Sequence, residues 1–320
     1  MSNKDHILYG MQASLYTGKV RAYLRRNRIP VTERGAGHPE YTGKIYPHMG
    51  RFIMPVVETP TGEIIQDGTD ILDHLEAQGL GKEPLYPEIP VIRAVAYLFE
   101  LFGNEGLLRP AMHYRWNFDA ENLDFLKVSF ADVFPAHLDA MGRAGAFDHA
   151  SGRMRKASAA FGVSPETYKT VESSYADFLS LFNDHLKETY YVLGAAPTIA
   201  DYGLFNPLYA HLARDPKPAH LMKTQAPYVW NWVERMNRPE NLQEHTLDDA
   251  PAELFDSKNL PSSLTKLMNF VGEEYLKEFI AHVDFADQWL AQHSGPEAIA
   301  KASKGRGLGF AEFKWRGHEI

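Results

Sequence analysis

The sequence predicts a small α/β domain followed by an all-helical one. Residues 1 to 78 alternate short apolar runs with one-sided helical patterns and read β-α-β-loop-β-β-α. Beyond the spacer GLGKEPLYPEIP (79–90), strand signals almost vanish. Helical patterns then occupy residues 91–103, 172–188, 198–213 and 227–238. Composition supports a folded protein of this size: 44% of the 320 residues are hydrophobic and 23% charged, enough apolar mass for one large core or two modest ones. The expected division is therefore 1–78, a linker at 79–90, and a helical domain from 91 to 320.

Each element has a local reason. HILYG is a short apolar run and reads as a buried strand. ASLYTGKVRAYLRRNRIP follows as a helix, with Val20, Leu24 and Tyr23 on one face and Pro30 stopping it. Arg21, Arg25, Arg26 and Arg28 lie mostly off that face and read as a solvated helix surface. VTERG suits a second strand. Residues 35–51 carry Gly, Pro and polar residues and read as a loop with at most a short helix. MPVVET and EIIQ flank Pro60-Thr61-Gly62 and read as a hairpin. TDILDHLEAQ is a helix that turns Ile71, Leu72 and Leu75 inward and ends at Gly79. In GAAPTIADYGLF (194–205), Thr198 and Asp201 stand at capping-box spacing, a folding signal rather than a chemical one.

The bulk numbers exclude several functions. A net charge of −8 and a pI near 6.0 argue against a general nucleic-acid binder. The chain has no cysteine, which rules out disulfides, thiolate zinc sites and cysteine nucleophiles. Its 14 histidines form no HExxH and no close ligand pair, so no catalytic metal is expected. No run of about eighteen apolar residues is present, so no membrane span is expected. MSNKDHILYG lacks the apolar stretch of a signal peptide, and a cytoplasmic protein is expected.

The chemistry concentrates where strands hand over to helices. Gln66-Asp67-Gly68 precedes the helix that starts near Thr69. Such a helix start has unpaired N–H groups and a positive dipole end, which suit a carboxylate. Gly68 lets an anion approach the backbone, while Asp67 and Gln66 suit an adjacent ammonium. Together these groups fit the head of an α-amino acid; equally, Asp67 can be a local capping group with no ligand. Ser14 lies between the first strand and the first helix, where its hydroxyl can either cap the helix or donate to a bound thiolate. Met54-Pro55 opens a strand, and base rates favour a trans bond there.

These segments together resemble the glutathione transferase superfamily. LYG…ASLYTGKVR is similar to its first strand and helix, with Ser14 at the place of the active-site Ser or Cys. MPVVETPTGEIIQDGTDILDHLE, GAAPTIADYGLF and APYVWNWVERMNRPE resemble later family segments in the same order. The resemblance implies a thioredoxin-like N-terminal domain and a helical C-terminal domain. It implies glutathione as co-substrate, with Gln66, Asp67, Gly68 and Thr69 at its γ-glutamyl end. Met54, turned outward by a cis Pro55, would pair with the cysteinyl backbone as a one-residue strand extension. Ser14 would face the sulfur, with Tyr9 second and Thr17 third as alternatives.

Two departures stand out. Gly68 replaces the usual Ser or Thr, so that hydroxyl contact is lost unless Thr69 supplies it. Leu15 replaces a proline. A hydrophobic electrophile would meet a wall from LFGNEGLLRPAMHYRWNF (101–118), with His113, Tyr114 and Trp116 as candidates; ordinary packing explains them equally. The chain is longer than a minimal member, with the excess near 117–170 and from about 240 onward. Its last stretch, KGRGLGFAEFKWRG, reads as a lid or as a surface-packed terminus. A homodimer is the family expectation, and a non-catalytic binding or scaffold protein of the same fold is the alternative function.

Overall fold

The computed structural model describes residues 5–238, 251, 253–293, 295 and 308–320. Strands β1 (His6–Tyr9), β2 (Val31–Arg34), β3 (Val56–Glu58) and β4 (Ile64–Gln66) form one mixed sheet in the order β2-β1-β3-β4. β1 and β2 run parallel, and β3 is antiparallel to both its neighbours. A parallel pair needs a crossover, and helix α1 (Leu15–Arg26) supplies it. Side chains alternate across β1: Leu8 enters the main core, while Ile7 and Tyr9 join a second cluster with Tyr41 and Val56. Helix α3 (Gly68–Ala77) lies beside α1 and buries Ile71, Leu72 and Leu75. Gly79, at φ +67°, follows its end. This is the expected thioredoxin-like arrangement.

Two local readings need revision. The arginine group forms a solvated face only in part: Arg25 and Arg28 are exposed, but Arg21 and Arg26 are not. Arg21 is buried, and its Nε donates to Glu33 of β2 at 2.7 Å. Arg26 donates to Glu83 at 2.8 Å and to the Tyr191 hydroxyl at 3.2 Å. Where this helix packs between the sheet and the second domain, its charges are held in ion pairs. The loop at 35–51 holds a continuous helical stretch, Tyr41–Ile45 in wide π-type turns and then α2 (Tyr46–Met49). The Tyr41 hydroxyl donates to the Ile53 carbonyl at 2.7 Å and anchors it.

The helical domain comprises α4 (Pro90–Leu101), α5 (Leu108–Trp116), α6 (Asp119–Ser129), α7 (Ala140–Ala160), α8 (Tyr168–His185), α9 (Ile199–Pro207), α10 (Pro216–Gln225), α11 (Pro227–Asn237) and α12 (Ser262–Gln292). α9 is buried along its whole length and packs on both α4 and α1. Its Gly203 is required there: a Cβ on it would meet the Glu100 Cα of α4 at 2.4 Å. The start of α9 is tied down by buried Asp201. That carboxylate accepts the N–H groups of Thr198 (3.0 Å) and Val192 (2.9 Å) and the Trp232 indole N–H (3.1 Å).

The described part of the C-terminal stretch is packed on the surface. It ends in a small hairpin, β5 (Lys314–Trp315) with β6 (His318–Glu319), which the sequence pattern did not reveal. Arg109 of α5 lies over the Phe313 and Trp315 rings, and Glu274 of α12 accepts from Trp315 Nε1 at 2.8 Å. Residues 304–307, the start of the glycine-rich stretch, lie outside the described residues, as do 239–250 of the expected extension.

Candidate functional site

The carboxyl end of β1, the start of β3, the end of β4 and the first turns of α1 and α3 converge on one edge of the sheet. Val56 pairs with Tyr9 on one side and with Gln66 on the other. Gly68 approaches the first turns of α1: a Cβ on it would lie 3.5 Å from Lys19 and 3.7 Å from the Tyr16 carbonyl. The topology thus brings together the segments carrying Ser14, Met54 and Gln66–Thr69.

Ser14 occupies the N-cap position of α1 but does not cap it. Its side chain accepts no hydrogen bond from the helix, and its hydroxyl has no partner among the described residues. It is half-buried. The helix start offers no reciprocal acid, because the third helical residue is Thr17. Thr17 is fully buried against Gly10, and its hydroxyl is unpaired. Tyr9 is also fully buried, on the opposite face of the sheet from Leu8. Its hydroxyl lies 3.1 Å from Glu40 and 3.4 Å from Glu58, and burial pushes its pKa up to about 12. Neither alternative hydroxyl is presented as Ser14 is.

The peptide bond Met54–Pro55 is cis, and neither the N–H nor the C=O of Met54 has a hydrogen-bond partner among the described residues. Asp67 adopts φ +85° and caps α3, accepting the Thr69 N–H at 2.8 Å while staying exposed. Gln66 accepts from Arg51 at 3.3 Å. The N–H groups of Gly68 and Asp70 remain unpaired among the described residues, as the first turn of a helix requires.

Thr69 departs from expectation. Its hydroxyl receives a hydrogen bond from Lys19 Nζ (2.8 Å) and donates to Glu100 (2.8 Å), and Lys19 pairs with Glu100 at 2.5 Å. That hydroxyl serves a buried interdomain ion pair and is not free to replace the one missing at Gly68. Gly68 itself has no positive φ, and only ordinary contacts surround its missing Cβ.

Of the three aromatic candidates on α5, two stay together and one separates. His113 faces α8, with Nε2 2.9 Å from Glu172, and burial lowers its pKa. Tyr114 packs in the main core against Phe118 and Tyr175. Trp116 alone joins the cluster containing Met11 and Ala13, which precede Ser14, and touching Met54. The His113 and Tyr114 rings pack on each other, 5.3 Å apart, and both meet Phe118, so of the three only Trp116 lies with the residues before Ser14.

Sequence reasoning missed Arg115. It is 2% exposed; Nε and Nη2 bond Asp215 at 2.7 and 2.9 Å, and Nη1 donates to the Ala13 carbonyl at 2.7 Å. The helical domain thereby holds the peptide that leads into Ser14. Buried His211 stands beside it; burial and the charge of Arg115 push its pKa well below the ordinary range. No sequence signal joins Arg115 to a partner 100 residues away.

A model of the glutathione S-transferase N-terminal domain matches residues 8–82, and one of the C-terminal domain matches residues 165–235. No curated protein sequence matches the chain. Among solved structures, a glutathione transferase from Phanerochaete chrysosporium aligns with TM-score 0.51 at 15% identity, covering 75% of this chain and 98% of that one. A beta-etherase from Sphingobium aligns with TM-score 0.48 at 16% identity, covering 74% and 95%. A glutathione S-transferase from Methylobacterium radiotolerans, in complex with glutathione sulfonate, aligns with TM-score 0.43 at 16% identity, covering 80% and 100%. With both domain models matched in order and the thioredoxin-like and helical domains in place, the chain belongs to the glutathione transferase superfamily.

Proposed function

We propose that the protein is a glutathione transferase that activates the glutathione thiol with the Ser14 hydroxyl for attack on a hydrophobic electrophile. The observation that carries this reading is the unpaired, half-buried hydroxyl of Ser14 at a helix start it does not cap. Around it, Met54 offers an unpaired backbone edge to the cysteinyl residue. The free N–H groups of Gly68 and Asp70 suit the γ-glutamyl carboxylate, and exposed Asp67 suits its ammonium.

The energetics are adequate. A thiol of pKa about 8.5 is only a few per cent ionised at neutral pH. A hydrogen bond to the thiolate contributes roughly 1.5–3 kcal/mol. At about 1.4 kcal/mol per pKa unit, that lowers the pKa by roughly one to two units. The thiol proton passes to solvent, and the thiolate's electron pair forms the sulfur–carbon bond. A leaving group, where present, departs with the pair of the bond that breaks. Arg115 and Asp215 hold the Ala13 peptide and hence the approach to Ser14. The active form is a cytoplasmic homodimer on the family pattern.

One observation favours the binding-only alternative: Gly68 carries no hydroxyl, and the Thr69 hydroxyl is committed to Lys19 and Glu100. Calorimetric titration with glutathione, followed by turnover of 1-chloro-2,4-dinitrobenzene, separates the two. Binding with turnover supports the transferase; binding without turnover for this and other electrophiles supports a binding-only protein; no binding at millimolar glutathione contradicts the transferase and favours the scaffold reading.

A further inference from the structure

Trp116 is 2% exposed, yet its indole Nε1–H has no hydrogen-bond partner. A buried donor without a partner is uncommon and calls for a reason. The ring has no freedom to find one. Arg155 lies over its face at 5.2 Å, donates to the Trp116 carbonyl, and is itself held by Asp119 at 2.6 Å. The donor is therefore fixed in direction within an apolar cluster. That cluster touches the residues before Ser14, through Met11 and Ala13, and reaches Met54. Its far side is built by Leu126, Phe130, Phe147 and Val163, from the 83–164 region that neither family domain model matches, or its immediate edge.

We propose that the Trp116 indole N–H is the orienting donor for the electrophile, and that the electrophile is an aromatic molecule bearing a neutral oxygen acceptor. This rests on the transferase reading above for its catalytic meaning, though not for its test. The aromatic part follows from the Phe130 and Phe147 rings. The neutral acceptor follows from the surroundings: the donor is an uncharged indole N–H in an apolar cluster, where a buried carboxylate is costly, and the guanidinium lying over the ring, Arg155, is already paired with Asp119. Entry requires side-chain movement, and Met11, Met54 and Met112 on the near side supply unbranched, adaptable side chains for it.

The test reads the indole N–H directly, without glutathione. Protein labelled with 15N at its five tryptophans gives five indole resonances. Trp116→Phe identifies the one from Trp116 by its loss. Acetophenone, an aromatic ketone, should shift that resonance saturably downfield, and ethylbenzene, which lacks the acceptor, should not. Acetophenone should also bind the Trp116→Phe variant about fivefold to tenfold more weakly, the loss of one neutral hydrogen bond. An unmoved Trp116 resonance, or an equal shift with both compounds, would overturn the proposal. Because Ser14 takes no part, failure of thiol activation leaves this result readable on its own.

Discussion

Helices α1 and α9 both start from a hydroxyl residue, and the two starts are used in opposite ways. At α9, Thr198 and Asp201 form a closed set in which one carboxylate accepts three N–H groups, and nothing is left for a ligand. At α1, Ser14 has no acidic residue three positions on, and its hydroxyl stays free. The residue at the third helical position decides whether a hydroxyl at a helix start serves folding or stays open for chemistry. The α3 start lies between: Asp67 caps Thr69, while the neighbouring N–H groups stay open.

This contrast can be broken from either side. The largest effect should come from Asp201→Ala, which leaves several buried donors unpaired and costs on the order of 3 kcal/mol. Urea denaturation measures it; a midpoint close to wild type would mean that the α9 start is not the folding element described. Next, Asp67→Asn keeps the cap on Thr69 but removes the charge. Glutathione affinity by calorimetry should fall roughly tenfold with the unfolding midpoint unchanged. Equal affinity would remove the ammonium from this position.

Acidification acts on buried imidazoles, one of which, His211, stands beside the Arg115 that holds the Ala13 peptide. His211, His185 and His113 are buried with folded pKa values below their unfolded value near 6.5. The unfolded chain therefore takes up protons first. Their contribution to stability is complete above pH 6.5 and is lost as pH falls below it, by up to about 1.4 kcal/mol per pH unit for each group. His211→Gln should give a shallower loss between pH 6.5 and 5.5; an unaltered slope would show that His211 is not kept neutral by the fold. A smaller change, about threefold to tenfold tighter glutathione binding, is expected for Gly68→Ser. Its Cβ fits without displacement and it restores a hydroxyl beside the free N–H groups. Weaker binding would show that the bare backbone is itself the recognition element.

The sequence made the α/β half legible because its signals are local. The short apolar run HILY, the turn at Pro60-Thr61-Gly62 and the Gln66-Asp67-Gly68 helix start each need only a few neighbouring residues. α5 and α7 escaped for physical reasons. α5 is buried on every side, so no polar face marks its period, and α7 buries only Phe147, Ser151 and Ser158. Within the site, Ser14 and Met54 were readable from their positions at element ends. The engagement of Thr69 by Glu100 and of Ala13 by Arg115 was not, because those partners lie 31 and 102 residues away. His113 and Tyr114 pack away from the Ser14 side for a related reason: their partners on α8, Glu172 and Tyr175, are distant in sequence.

The central claim is that Ser14 is free for sulfur because it is not needed for folding. Ser14→Ala should accordingly shift the unfolding free energy by no more than about 0.5 kcal/mol. The direct measurement is the ultraviolet absorbance of the glutathione thiolate across pH, bound to wild type and to Ser14→Ala. The account predicts a bound thiol pKa roughly one to two units below 8.5 in wild type, returning toward 8.5 in the variant. A pKa equally lowered in both proteins would contradict it and move thiol activation away from Ser14.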